Sequence, residues 1–107
     1  MRVKRNFRSN ETVKFSTSSG EEIVIDKDTY CLELDDKVIV CFAKGIQQYY
    51  DFIANPNYYQ TNDVLIHNIM NDDDAIVYTV DDDVTFEDKA IYSVIIFRDI
   101  VFIMEDV

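Results

Sequence analysis

β-branched side chains dominate this sequence and restrict what it can fold into. Its 107 residues include 12 Val, 13 Ile and 6 Thr, and such side chains suit the pleated surface of a sheet better than a helix. The chain has two Gly and one Pro, so Asp, Asn and Ser must form most of the turns. We therefore expect one domain, residues 1–107, built mainly on an antiparallel sheet.

Alternating hydrophobicity and turn residues predict two hairpins in the first half of the chain. The first joins residues 12–17 to residues 22–25 across a Ser-Ser-Gly turn. The second joins residues 29–34 to residues 37–43, and its second strand is apolar on both faces, as is typical of a central strand. Further strands are predicted at residues 75–80, 84–87, 90–97 and 100–104.

The middle of the chain changes its periodicity. Apolar side chains recur at helical spacing within residues 44–54 and predict a helix, which ends at an Asn-Pro pair. Residues 63–71 carry a shorter apolar stripe that favours a second helix, although a strand also fits this length. The predicted fold class is α+β, a mainly antiparallel sheet that is sandwich-like or a small open barrel, with one or two short helices.

Few residues in this sequence suit catalysis or metal binding. His67 is the single histidine, and no motif supplies a partner for acid-base chemistry. Gly20 and Gly45 are isolated, which excludes a glycine-rich phosphate loop. The Asp runs do not fit an EF-hand calcium loop and leave only adventitious cation binding. We expect a protein that is not an enzyme and has no cofactor and no metal site.

The sequence contains no segment typical of a membrane span or a signal peptide. Apolar runs of about 18 residues are absent, and the basic start leads into polar residues 9–12. Cys31 and Cys41 lie in apolar segments without metal-binding spacing, so we expect buried thiols in a reducing compartment. The predicted location is the cytoplasm.

Charge is distributed unevenly along the chain. The formal net charge is -11, yet residues 1–15 are net positive, with five basic side chains and one acidic. Residues 71–88 contain eight acidic side chains and no basic one. Neighbouring Asp side chains about 6 Å apart repel by roughly 0.7 kcal/mol in water, so this density opposes folding. The surplus predicts an acidic recognition face, with solubility alone as the other explanation.

The basic segment at residues 1–10 allows two interpretations. Its Lys and Arg side chains can belong to a flexible terminus that settles on the acidic surface of the same protein. Alternatively, the segment is an arm that seeks phosphate groups. The sequence leaves both open.

An acidic face favours a basic protein partner, one that handles nucleic acid, over direct binding of nucleic acid or a membrane. The predicted partner-binding residues are Asp72, Asp73, Asp74, Asp81, Asp82, Asp83, Glu87 and Asp88, supported by Asp26, Asp28, Asp35 and Asp36. The tyrosines available as aromatic anchors are Tyr49, Tyr50, Tyr58 and Tyr59, although core positions are favoured for Tyr49 and Phe52.

The chain is similar in size, charge and AT-rich residue usage to small acidic phage-encoded inhibitors of restriction, repair and CRISPR nucleases. That resemblance implies a nucleic-acid mimic that occupies the basic groove of its target. The alternative is a small structural or assembly protein whose apolar C-terminal strands pair with other subunits in a homo-oligomer.

Overall fold

In the part of the chain that the structure, a computed structural model, describes, nine β-strands form the fold. The structure describes residues 3–35, 37–42, 47, 50, 54, 71–98 and 100–106. The strands are β1 (Val3–Arg8), β2 (Val13–Ser16), β3 (Glu22–Ile25), β4 (Tyr30–Leu34), β5 (Val38–Phe42), β6 (Ile76–Thr79), β7 (Thr85–Phe86), β8 (Lys89–Phe97) and β9 (Ile100–Glu105). One antiparallel sheet has the order β1-β4-β5-β9-β8-β6, and β7 pairs with β8. β2 and β3 form a separate two-stranded ribbon.

The predicted α+β class is wrong, because the described fold is built almost entirely from antiparallel strands. The helix predicted at residues 44–54 lies outside the described residues except at Gln47, Tyr50 and Ala54, which are helical. Residues 63–70 of the second predicted helix also lie outside them, and Asn71 is in a turn. The β-branched side chains outweigh one short helical pattern. No helix in the described ranges has the length and apolarity needed to cross a membrane.

Both hairpins predicted in the first half of the chain are confirmed. β2 pairs with β3, and β4 pairs with β5, each in antiparallel register. β5 lies between β4 and β9, and all five of its side chains are buried. β5 has apolar side chains on both faces because each face of the sheet is covered at this strand.

The sheet carries a hydrophobic core on each face. The first core, between the sheet and the ribbon, contains Phe15, Ile23, Ile25, Cys31, Ile39, Cys41, Val80, Phe86, Ile91, Val94, Val101 and Ile103. The second core, on the opposite face, contains Leu32, Leu34, Val38, Val40, Phe42, Ile95 and Phe102. Strands that alternate between two cores need apolar side chains at every position, which explains the dense Val and Ile content.

The sheet curves around the first core until β1 approaches β7. The rings of Phe7 and Phe86 have centroids 6.4 Å apart, and Arg5 Nη2 lies 3.5 Å from Glu87 Oε2. These contacts join strands from the two sides of the sheet, so they close the first core at this end. The basic N-terminal segment thus contributes β1, whose cations pair with carboxylates of the same chain.

A buried ion-pair network lies beside that contact. Glu33 is 4% exposed, and its carboxylate contacts Lys89 Nζ and lies 2.6 Å from Arg5 Nε and 3.8 Å from Lys4 Nζ. Lys89 Nζ also lies 3.7 Å from Oε1 of the buried Glu105. Two carboxylates can be buried here because cations from β1 and β8 surround them.

The two-residue turn between β7 and β8 has a backbone conformation that residues other than Gly disfavour. Phe86 pairs with Lys89, and the residues between them, Glu87 and Asp88, have φ values of 52° and 64°. Positive φ at both central positions defines a type I′ turn, which prefers Asn-Gly. Residues with a Cβ resist this conformation, whereas Gly adopts it freely.

We therefore expect Asp88→Gly to stabilise the protein by about 0.5 to 1 kcal/mol and to raise Tm by about 3 to 5 °C. Thermal unfolding followed by circular dichroism measures this change. Asp26→Gly is the control, because it removes the same charge from an exposed turn position without positive φ. An equal gain in both variants would mean that charge, not backbone conformation, is responsible.

Candidate protein-binding edge

The predicted acidic residues lie in turns along one edge of the sheet. Residues 72–74 come directly before β6, residues 81–83 follow it, and Glu87 and Asp88 form the turn between β7 and β8. Because β6 and β7 both pair with the same side of β8, all eight side chains border that edge.

Local hydrogen bonds explain why Asp is used in these turns. The Oδ1 atom of Asp72 accepts a hydrogen bond of 2.9 Å from the Asp74 N–H, and its carbonyl accepts one of 3.1 Å from the Ala75 N–H. In the next turn, Asp83 has a φ of 70°, a conformation that Asp tolerates better than most residues. The side-chain bond accounts for Asp72 and the positive φ for Asp83, and within the described residues no side-chain hydrogen bond is seen for the other four Asp of the triplets.

The structure divides the eight residues into two groups. β6 begins at Ile76, which pairs with Ile96, whereas β7 ends at Phe86, which pairs with Lys89. The turn at residues 72–74 and the turn at residues 87–88 therefore lie near opposite ends of β8. Lys89 and Ile96 are seven residues apart on β8, which corresponds to about 23 Å of extended strand. Asp72, Asp73 and Asp74 therefore form one acidic group, and the other five residues form a second group at the far end of the edge.

Seven of the eight carboxylates remain without a cation in the described parts of the chain. The six Asp of the two triplets and Asp88 are exposed, and no ion pair involves them. Glu87 differs, because it is half-buried and pairs with Arg5. Of the supporting residues, Asp26, Asp28 and Asp35 are exposed near other turns, and Asp36 lies outside the described residues.

Exposed apolar side chains lie between the two acidic groups, on both faces of the edge. Ile76 and Val77 of β6 are each 51% exposed, and Tyr92 of β8 is 50% exposed. The sequence pattern places these residues in strands but does not predict their exposure. The available signal was the pair of flanking Asp triplets, because charges commonly flank an apolar strand that is not covered. Of the tyrosines predicted as anchors, Tyr50 is 54% exposed, and the others lie outside the described residues.

The apolar C-terminal strands do not provide a second free edge. β9 lies between β5 and β8, and β8 is paired with β9 on one side and with β6 and β7 on the other. Ile95 and Phe102 are 1% and 3% exposed. Pairing with another subunit through β8 or β9 would require these strand pairs to separate.

The described residues offer little for catalysis. Burial, with the adjacent Cys31, raises the pKa of Cys41 well above its ordinary value, so the thiol is protonated at neutral pH. A hydrogen bond to Glu21 and burial raise the pKa of Tyr78. In these parts of the chain, no three metal-ligating side chains come together. His67 lies outside them.

A cleft of about 240 Å³ opens beside the β7–β8 turn. Its lining residues are Ser9, Asn10, Glu11, Val13, Thr85, Phe86, Glu87 and Asp88. Carboxylates and hydroxyl or amide groups of this kind attract cations but include no nucleophile paired with a base. The cleft extends the acidic character of the second group toward β1.

Comparisons with family models, curated proteins and solved structures give no match for this chain.

Proposed function

We propose that this protein is a non-enzymatic acidic module that occupies the basic nucleic-acid-binding groove of another protein. One observation carries the proposal: seven exposed Asp side chains border a single sheet edge and have no ion pair within the described residues. In contrast, four cations among the described residues pair with glutamates: Lys4, Arg5, Lys14 and Lys89. The uncompensated charge is therefore directed outward.

The spacing of the acidic groups fits a competitor of nucleic acid. The centres of the two Asp triplets are nine residues apart, at most about 30 Å along an extended chain. With a rise of about 3.4 Å per base pair, that distance corresponds to roughly nine base pairs. Carboxylates on such turns would form charge-assisted hydrogen bonds with Lys and Arg and would accelerate association at low salt.

The exposed apolar residues give this surface the composition of a protein interface. Ile76 and Val77 point to opposite faces of β6, so together with Tyr92 they would supply apolar contacts on the two faces of this edge, and the Asp residues would form a charged rim. We assign the protein to the cytoplasm, where the free thiols Cys31 and Cys41, with Sγ atoms 3.4 Å apart, would remain reduced.

Neutralising the first acidic group tests the proposal. We expect the triple variant Asp72→Asn, Asp73→Asn and Asp74→Asn to bind the partner at least tenfold more weakly, because three charge-assisted contacts are lost. The Asn at 72 keeps a side-chain oxygen for the turn, so folding should be unchanged or slightly improved. Partners are captured from lysate at low salt, identified by mass spectrometry and titrated as purified proteins, with nucleic acid as competitor.

The matched control removes three charges elsewhere, through Asp26→Asn, Asp28→Asn and Asp35→Asn. If this control weakens binding equally, only net charge matters, and the proposed face is wrong. Unchanged affinity in the test variant would also contradict the proposal. If the test variant aggregates while the control stays dispersed, the Asp residues protect the exposed strand instead.

A further inference from the structure

Every second residue of β6 directs its backbone N–H and C=O groups away from β8. Val80 N–H donates a hydrogen bond of 3.3 Å to Tyr92 O, which fixes the even-numbered residues of β6 as those that bond to β8. The odd-numbered residues, Val77 and Thr79, must therefore direct their N–H and C=O groups to the other side of the strand.

The ribbon uses this outer side at the C-terminal half of β6. Ser18 N–H donates to Thr79 O at 2.9 Å, and Asp81 N–H donates to Ser16 O at 3.1 Å. The ribbon then turns back at Gly20, which has a φ of 87°. Pairing with the ribbon thus stops at Thr79 and does not extend along the rest of β6.

The N-terminal part of β6 is consequently an open edge, defined here as residues 75–77. The Val77 N–H and C=O groups and the Ala75 C=O group have no hydrogen-bond partner among the described residues. Ile76 and Val77 are also half-exposed. Unpaired backbone groups beside exposed β-branched side chains form a template for one more strand.

Acidic side chains lie at both ends of this open edge. Residues 72–74 precede it, and at the other end Glu21 closes the ribbon turn in which Ser18 bonds to Thr79. A strand laid along the edge would therefore meet negative charge at its first and last residues. Charge complementarity selects a strand with cationic ends and an apolar or β-branched centre.

We propose that the open edge binds an extended segment of the basic partner as an added β-strand, with Lys or Arg at both ends of that segment. This inference rests on the proposed function and specifies how the partner docks. Main-chain hydrogen bonds to Val77 and Ala75 align the segment, and the flanking carboxylates recognise its ends.

The test uses a synthetic peptide, acetyl-Lys-Lys-Thr-Val-Thr-Val-Lys-Lys-amide, titrated by isothermal calorimetry. Val77→Pro removes the outward N–H without removing a bond to β8, a position where an edge strand tolerates Pro. Val77→Thr is the matched control, because it keeps the N–H and the branched shape. We expect Val77→Thr to bind nearly as well as the parent protein and Val77→Pro to bind at least tenfold more weakly.

Two modified peptides separate strand addition from charge. A peptide N-methylated at each of its four central residues keeps the side chains and charge of the parent peptide but loses the backbone donors of both edges, and we expect its binding to the unaltered protein to be at least tenfold weaker. This arm does not depend on the folding of Val77→Pro. A peptide with Glu replacing every Lys should not bind.

The outcomes distinguish this inference from the proposed function. No binding of the Lys peptide, or equal binding of its N-methylated form, would overturn strand addition, and the second result would leave acidic recognition intact. If the Glu and Lys peptides bind equally and Val77→Pro abolishes both, strand addition holds while recognition of basic partners fails.

Discussion

Phe15→Ala is expected to lower the free energy of unfolding by about 3 to 5 kcal/mol, the usual cost of truncating a fully buried Phe. Phe15 is 0% exposed and packs edge-on against Phe86, with ring centroids 5.8 Å apart. It joins the β2–β3 ribbon to the first core, so its loss leaves a cavity between the ribbon and the sheet. Chemical denaturation in urea measures the change.

Val24→Ala is the matched control for this prediction. Val24 lies on the same ribbon but is 41% exposed, so its truncation should cost less than about 0.5 kcal/mol. Similar losses in both variants would mean that the ribbon is not anchored through Phe15. In Phe15→Ala, hydrogen exchange at the Ser18 amide, which bonds to β6, should accelerate.

The two early hairpins could be predicted because their signals are local. Turn residues and alternating hydrophobicity within about fifteen residues determine which neighbouring strands pair, and this information is contained in the sequence itself. The predicted α+β class is wrong because the helical pattern at residues 44–54 covers one short segment, whereas β-branched residues occur throughout the chain. The β-branched content constrains far more residues.

The strand β1 was missed because its charges conceal it. Lys4, Arg5 and Arg8 give the segment a polar appearance, but Lys4 and Arg5 pair with the buried carboxylate of Glu33 on β4. Arg8 lies over the ring of Tyr30 on the same strand. These contacts join residues distant in sequence, which periodicity cannot reveal. The same distance effect hid the ion pair of Glu87 with Arg5.

The candidate edge could be predicted in part. Its Asp runs are visible in the sequence, but the exposure of Ile76 and Val77 depends on the position of β6 in the order of the sheet. An edge strand and a central strand can have the same composition, because the difference lies in their neighbours. The sequence therefore predicts the Asp residues that border this edge but does not predict that the apolar side chains between them are exposed.

Lys89→Met is expected to lower the free energy of unfolding by about 3 kcal/mol, because it leaves the buried carboxylates of Glu33 and Glu105 without their shared cation. This loss of unfolding free energy is at the lower end of the range for breaking a buried ion pair, because Lys89 is 33% exposed and Arg5 still contacts Glu33. Lys14→Met is the control, because its pair with Glu22 is exposed on both sides and should contribute less than about 0.5 kcal/mol.

A double-mutant cycle then tests whether the network acts as a unit. Glu33→Leu removes the buried charge itself. In the Glu33→Leu background, Lys89→Met should therefore lower the free energy of unfolding by at least about 1 kcal/mol less than it does in the parent protein. Additive losses would show that Lys89 does not stabilise the fold through Glu33. Coupled losses would mean that this cation is needed inside the protein to neutralise buried carboxylates, and therefore cannot compensate the Asp residues that border β6.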